Sequence, residues 1–121
     1  MRRMNNGVLE ICGADSEVVF SLEEKLVDGV LNIKLYGEIK NEVAFEFEDE
    51  IMAALMACNQ IELDFENVSY IASMALKSLL SAQQMIDGMD GARMVLRQVP
   101  ESVMKTFRDA GFLDILEIET E

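Results

Sequence analysis

The chain has 121 residues and half of them are hydrophobic, which is the length of one domain and enough apolar material for a single core. Its 23 acidic residues outnumber 10 basic ones, and the resulting net charge of −13 disfavours binding to phosphate backbones and anionic lipid surfaces. The absence of histidine excludes histidine-based triads and histidine–metal chemistry.

The composition also predicts the compartment in which the protein works. No stretch approaches the roughly 18 apolar residues that cross a bilayer, and residues 1–7 lack the apolar segment of a secretory signal. The two cysteines, Cys12 and Cys58, lie far apart and form no CxxC pair, which suits reduced thiols. We therefore expect a cytoplasmic protein with no membrane insertion, no nucleic-acid partner, no metal and no cofactor.

The first predicted elements after the N-terminal segment form a β-hairpin. Residues 18–26 and 30–37 have strand composition and are joined by Val27-Asp28-Gly29, whose Asp-Gly pair is typical of a tight turn. Apolar and polar residues alternate along residues 31–36 and again along 61–65. Each strand therefore has one apolar face, which predicts helices on one side of the sheet and a solvated opposite side.

Three helices are predicted beyond the hairpin. Between residues 39 and 55 apolar side chains recur at every fourth position while acidic residues fill the outward positions. A second helical pattern follows over residues 72–86 and ends at the glycines of residues 87–91. Residues 92–99 have the composition of a strand, and a third helix opens at Pro100 and closes at Gly111.

The two ends of the chain are predicted less sharply than its middle. Residues 113–118 have the composition of a short strand, whereas residues 1–17 fit an extra strand and equally an arm that is ordered only against another molecule. Residues 18–121 then form a single domain. The predicted fold class is α/β, with a mixed sheet of four to five strands and helices packed on one face.

Three segments resemble one protein family. Residues 64–76, Asp-Phe-Glu-Asn-Val-Ser-Tyr-Ile-Ala-Ser-Met-Ala-Leu, resemble the strand–loop–helix segment of STAS domains, the fold of bacterial anti-sigma-factor antagonists. Gly37-Glu38-Ile39 resembles the Gly-Glu-Leu after the family's second strand, and Val103 to Ile115 resembles its Val-x-x-x-Phe-x-x-x-Gly-Leu ending. The segments lie at the right separations on independently predicted elements, so they support one another.

The resemblance implies a regulatory protein-binding module with no catalytic residues. In the family, an anti-sigma factor that is also a kinase binds the domain and phosphorylates a loop serine, which breaks the complex. That serine corresponds to Ser73, so the resemblance implies an anti-sigma factor or kinase-like regulator as partner. The expected partner-binding residues are Glu38, Lys40, Ala72, Ser73, Met74, Ala75 and Lys77.

The loop departs from the family pattern, Asp-Ser-Ser/Thr-Gly-Leu, at three positions. Ala72 stands at the aspartate, Met74 at the serine or threonine, and Ala75 at the glycine. These departures favour an alternative: a non-phosphorylated STAS adaptor or subunit of a transport or signalling complex. They also leave a second interpretation of Ser73 itself, as an ordinary helix N-cap.

Other surfaces remain open at the level of sequence. Asn32, Lys34 and Tyr36 on the solvated sheet face, together with an uncovered edge strand, are compatible with a homodimer, and the same face is compatible with a shallow small-ligand site. The acidic run Glu46–Glu50 is interpreted as a solvated helix face rather than a metal cluster, since Phe47 interrupts it.

Overall fold

The computed structural model describes residues 2–5, 7–12 and 18–119, which form one mixed sheet and three α-helices. The strands are β1 Arg2–Asn5, β2 Val8–Cys12, β3 Val18–Val27, β4 Val30–Ile39, β5 Gln60–Ile71, β6 Arg93–Arg97 and β7 Glu117–Ile118. The helices are α1 Ala44–Ala57, α2 Ser73–Asp87 and α3 Glu101–Asp109, with a 3₁₀ turn Asn41–Val43 before α1. This architecture confirms the predicted α/β class.

Strand order in the sheet follows the chain, from β1 to β7. Pairing is antiparallel from β1 to β4 and parallel from β4 to β7, with α1, α2 and α3 as the connections of the parallel part. Asp28 and Gly29 both have positive φ, 51° and 82°, as a two-residue type I′ turn requires. The predicted hairpin is therefore confirmed.

One face of the sheet holds the core. Along β4, Ile33, Leu35 and Ile39 are buried, whereas Lys34 and Tyr36 on the opposite face are partly exposed. The inward side chains of all three helices join those of β3 to β6 in one cluster, in which Phe47 meets Phe20 edge-to-face with ring centroids 6.0 Å apart. The prediction of one apolar sheet face covered by helices is thus confirmed.

The strand count differs from the prediction. The described residues form seven strands rather than four to five, because β1 and β2 add an antiparallel pair beside β3. Such short strands are held by their pairing rather than by a long local pattern, which is why the sequence alone does not fix them. Residues 1, 6 and 13–17 of that N-terminal segment lie outside the described residues.

Two predicted boundaries are wrong. Ile39, assigned to the first helix, is the last residue of β4, and the helix begins only at Ala44. A four-residue spacing from Ile39 to Val43 fits a helix, but Ile39 pairs with Ile71 of β5 instead. The final strand is only Glu117–Ile118, since residues 113–115 form a turn in which the Ile115 amide donates to the Phe112 carbonyl at 3.1 Å.

Strand β5 is longer than the alternation predicts. Its buried residues are spaced by two up to Phe65 and then by three, at Val68 and Ile71. Pairing with β4 shifts at two places over the same stretch, so the strand continues through irregularities that hide its period. Within the described part of the chain no helix is long and apolar enough to span a membrane.

Candidate functional site

The carboxyl ends of β4 and β5 lie side by side and bring two predicted segments together. Ile39 pairs with Ile71, and the Ala72 amide donates to the Ile39 carbonyl at 2.8 Å. Glu38 and Lys40 therefore lie next to the start of α2.

Ser73 is exposed at the first position of α2. The residue before it, Ala72, has extended backbone angles (φ −86°, ψ 165°) and is the N-cap. The interpretation of Ser73 as the N-cap is therefore wrong, because Ser73 already lies inside the helix. Within the described part of the chain its hydroxyl makes no hydrogen bond, so it is available to a partner.

The N-terminus of α2 is capped by a residue from another loop. The Met74 amide donates to Asn41 Oδ1 at 3.2 Å, and Asn41 lies in the 3₁₀ turn after β4. An alanine at the N-cap has no side-chain acceptor, so Asn41 satisfies a helix-start amide in its place. Sequence reasoning missed Asn41 because the two residues are 33 positions apart.

Two of the predicted partner-binding residues are buried. Ala75 is 0% exposed and offers no contact surface, so its assignment as a contact residue is corrected, whereas Ala72 is 5% exposed and offers only the small part of its surface that lines the cavity described below. Ala75 faces the core because position three of α2 points at the sheet. Met74 is 51% exposed, and Lys77 is exposed one helical turn after Ser73, on the same face of the helix.

An open cavity of about 460 Å³ lies beside the loop. It is lined by Glu38, Lys40, Asn41, Glu42, Tyr70 and Ala72. Lys40 forms an ion pair with Glu38, with 3.2 Å from Nζ to Oε2, and both side chains are about half exposed. Tyr70 is 50% exposed and pairs with Glu38 across β4 and β5. Sequence reasoning did not assign Tyr70 to the site, because the irregular period of β5 hides which of its side chains are exposed. The signal that could have found it is an aromatic residue shortly before the loop serine.

The solvated face of the sheet carries a second hollow, of about 230 Å³, whose lining residues Arg97 and Glu62 form an ion pair. Arg97 donates to Glu62 at 3.0 Å, and this hydrogen bond is the main cause that raises the pKa of the Arg97 guanidinium. A further ion pair joins Arg97 to Glu119. Among the described residues, no three cysteine or acidic side chains converge closely enough to hold a metal ion, those of Glu46–Glu50 included.

Comparison with known proteins gives one family and one fold. A family model described as STAS domain matches residues 21–121, which is most of the chain. No curated protein sequence matches the chain significantly.

The solved structures with the same fold include an anti-sigma factor antagonist from Mycobacterium paratuberculosis, with TM-score 0.76 and 17% identity over 92% of each chain. The anti-sigma factor antagonist SpoIIAA in its unphosphorylated form superimposes with TM-score 0.67 and 20% identity, over 83% of this chain and 89% of that chain. The Bacillus cell fate determinant SpoIIAA in its phosphorylated form gives TM-score 0.62 and 20% identity, over 83% and 92%.

Proposed function

The chain belongs to the STAS domain family, and from that membership we propose that it is a regulatory protein-binding module of the anti-sigma-factor-antagonist kind. Its partner is an anti-sigma factor or kinase-like regulatory protein, met in the cytoplasm and bound without catalysis by this chain. The contact surface is the exposed part of the α2 start, Ser73, Met74 and Lys77, together with Glu38 and Lys40. One observation carries the proposal: Ser73 is exposed at the start of a helix beside an open cavity, and its hydroxyl makes no hydrogen bond to any residue that the structure describes.

Phosphorylation of Ser73 would switch binding rather than folding. A phosphate at the first position of α2 is favoured by the helix dipole, and the Lys77 ammonium lies one turn away on the same face. The phosphate adds up to two negative charges to an exposed surface, where the fold tolerates them. A partner surface shaped for a neutral hydroxyl loses its fit. SpoIIAA, whose fold this chain shares, has been solved in both phosphorylated and unphosphorylated forms, so a phosphate is compatible with a domain of this shape.

The second candidate function is a STAS adaptor or subunit of a transport or signalling complex that needs no phosphate. Ala72 offers no carboxylate beside Ser73 to orient the hydroxyl, and Met74 places a half-exposed apolar side chain next to it. Methionine is an adaptable contact residue, so this surface suits a constitutive complex.

The two functions differ in what happens to Ser73 in the cell. The experiment is intact-mass analysis of the protein purified from its native cytoplasm, with a pull-down of wild type, Ser73→Asp and Ser73→Ala. Ser102→Asp is the matched control, because Ser102 is also an exposed serine in the first turn of a helix, α3.

A regulated antagonist gives an adduct of about 80 Da on Ser73, and a partner retained by wild type, Ser73→Ala and Ser102→Asp but lost by Ser73→Asp. An unmodified Ser73, with the same partner retained by all four proteins, identifies the constitutive adaptor. If Met74→Ser and Lys77→Ala also retain every partner that the wild type binds, the surface itself is wrongly assigned.

A further inference from the structure

The outer surface between α1 and α2 carries two lines of mostly apolar side chains, and we call the space between them the α1–α2 furrow. The residues of the α1 line are spaced i, i+7 and i+11, and those of the α2 line are spaced i, i+4, i+7 and i+11. Residues at these spacings lie on the same face of an α-helix. The residues are Phe45, Met52 and Met56 on α1, and Met74, Ser78, Ser81 and Met85 on α2.

Two hydrogen bonds place the start of α2 beside the start of α1 and the 3₁₀ turn before it, so the two lines begin side by side. Ser78 Oγ donates to the Ala44 carbonyl, directly before Phe45, at 3.3 Å, and the Met74 amide donates to Asn41 Oδ1. Ser78 is 3% exposed, so a small side chain forms the floor between the helices. Packed helices lie about 8–10 Å apart, which leaves the longer side chains as the two rims of the furrow.

The rims are exposed to a degree unusual for large apolar residues. Phe45 is 72% exposed, Met56 83%, Met74 51% and Met85 42%. Single exposed apolar residues are ordinary, but four along one channel form the kind of patch that marks an interaction site. Methionines add flexibility, which lets such a surface adapt to the partner it receives.

Charge indicates which partner fits. Helix α1 contains no basic residue, and Glu48 and Asp49 flank the apolar line, whereas Glu46 and Glu50 lie farther round the helix on the side away from α2. This pattern complements lysine and arginine side chains and repels a second copy of the same helix. The excess of negative charge over the whole chain likewise disfavours an anionic membrane.

We propose that the α1–α2 furrow binds a basic amphipathic α-helix from a partner protein. The lines span eleven residues, which at the rise of an α-helix is about 16 Å, or three turns of a bound helix. The bound helix presents apolar residues at i, i+4 and i+7 to the methionines and basic residues to the carboxylates of α1. This interface goes beyond the proposed switch at Ser73 and shares only Met74 with it.

The test uses a defined probe, a synthetic 18-residue helical peptide of leucine and lysine with leucines on one face. The control peptide has the same composition in an order that abolishes the apolar face. Titration of the ¹⁵N-labelled protein should shift the amide signals of both lines in the furrow, and the control peptide should bind at least about tenfold more weakly.

Matched variants show whether the apolar rims carry the binding. Phe45→Ser/Met56→Ser should weaken the amphipathic peptide by at least about tenfold, while Leu26→Ser/Leu113→Ser, which removes exposed apolar side chains away from the furrow, changes affinity little. Both double variants should remain folded, because the truncated side chains are exposed. A circular dichroism melt checks this.

Three results overturn the proposal. They are equal binding of both peptides, amide shifts confined to surfaces outside the furrow, and concentration-dependent shifts in the furrow without peptide, which identify a second copy as its occupant. Ser73→Asp should leave peptide affinity within about threefold, because solvent screens exposed charges. A furrow that binds no peptide therefore does not contradict the proposed switch at Ser73. Likewise, an unphosphorylated Ser73 does not contradict peptide binding at the furrow.

Discussion

Replacing Asn41 by alanine removes the side chain that caps α2. The Asn41 Oδ1 to Met74 amide distance is 3.2 Å, at the long end of the range for such bonds, and the bond is exposed. Loss of an N-cap acceptor costs about 0.5–2 kcal/mol, and this geometry places the effect near the middle, about 1 kcal/mol. For a domain of this size that lowers the melting temperature by roughly 3–5 °C.

Urea unfolding measures the loss, and amide hydrogen exchange locates it. We expect a lower midpoint at constant m-value, with faster exchange at Met74 and Ala75 than elsewhere in α2. Asn67→Ala is the matched control, because Asn67 is exposed on β5 and makes no side-chain hydrogen bond within the described residues. Equal unfolding free energies for Asn41→Ala and Asn67→Ala would refute the cap.

A second substitution tests whether the lost interaction is a cap and not general loop packing. Ala72→Ser places a local acceptor at the N-cap, where serine ranks among the best residues and adds only one heavy atom at this buried position. In the Asn41→Ala background it should restore most of the lost stability, and in wild type it should add less, since the Met74 amide already has an acceptor. A double-mutant cycle that shows no coupling would contradict this reasoning.

Two further predictions concern the core and the sheet edge. Phe47→Ala should lower the free energy of unfolding in urea by about 3–5 kcal/mol, because Phe47 is fully buried against Phe20. Phe45→Ala, on the exposed face of the same helix, is the control and should leave that free energy nearly unchanged. Hydrogen bonds from Arg93 hold the pKa of Glu117 below its usual range. The stability that this pair contributes is therefore fully present above the ordinary pKa of a glutamate, and it is lost as the pH falls through the lowered pKa of Glu117. Arg93→Gln should raise the pKa of Glu117 in an NMR titration, and an unchanged value would show that the pair does not form in solution.

Local chemistry made part of this fold predictable from the sequence. The Asp28-Gly29 turn is set by two positive φ angles that this pair favours, and the alternation of residues 31–36 follows directly from the pleat of a strand with one buried face. Pro100 as the N-cap of α3 and the glycine just after its end were equally local signals. Each of these features depends on a few neighbouring residues.

The features that the sequence did not predict depend on residues far apart in the chain. For residues 1–17 the sequence left a strand and an arm as alternatives, and it is pairing with β3 that makes Val8–Cys12 a strand. The full length of β5 depends on irregular pairing with β4, and the place of Ile39 depends on its partner Ile71. The same limit applies at the site. Asn41 caps a helix that starts more than thirty residues later, a contact that no local pattern encodes.

The buried alanines show how the departures from the family pattern act on the site. The sequence marked Ala72 and Ala75 as changes in a binding loop, but both are buried, so the substitutions change the chemistry of the loop and not its contact area. At the N-cap a carboxylate would both cap α2 and place a negative charge beside Ser73. With Ala72 there and Asn41 supplying the acceptor, the helix start is capped by a neutral amide group, and the exposed neighbours of the Ser73 hydroxyl are Met74 and Lys77. A partner that recognises this surface therefore meets a serine with no carboxylate at the N-cap beside it, and the Ser73 variants and their Ser102 control measure what a negative charge at that serine does to binding.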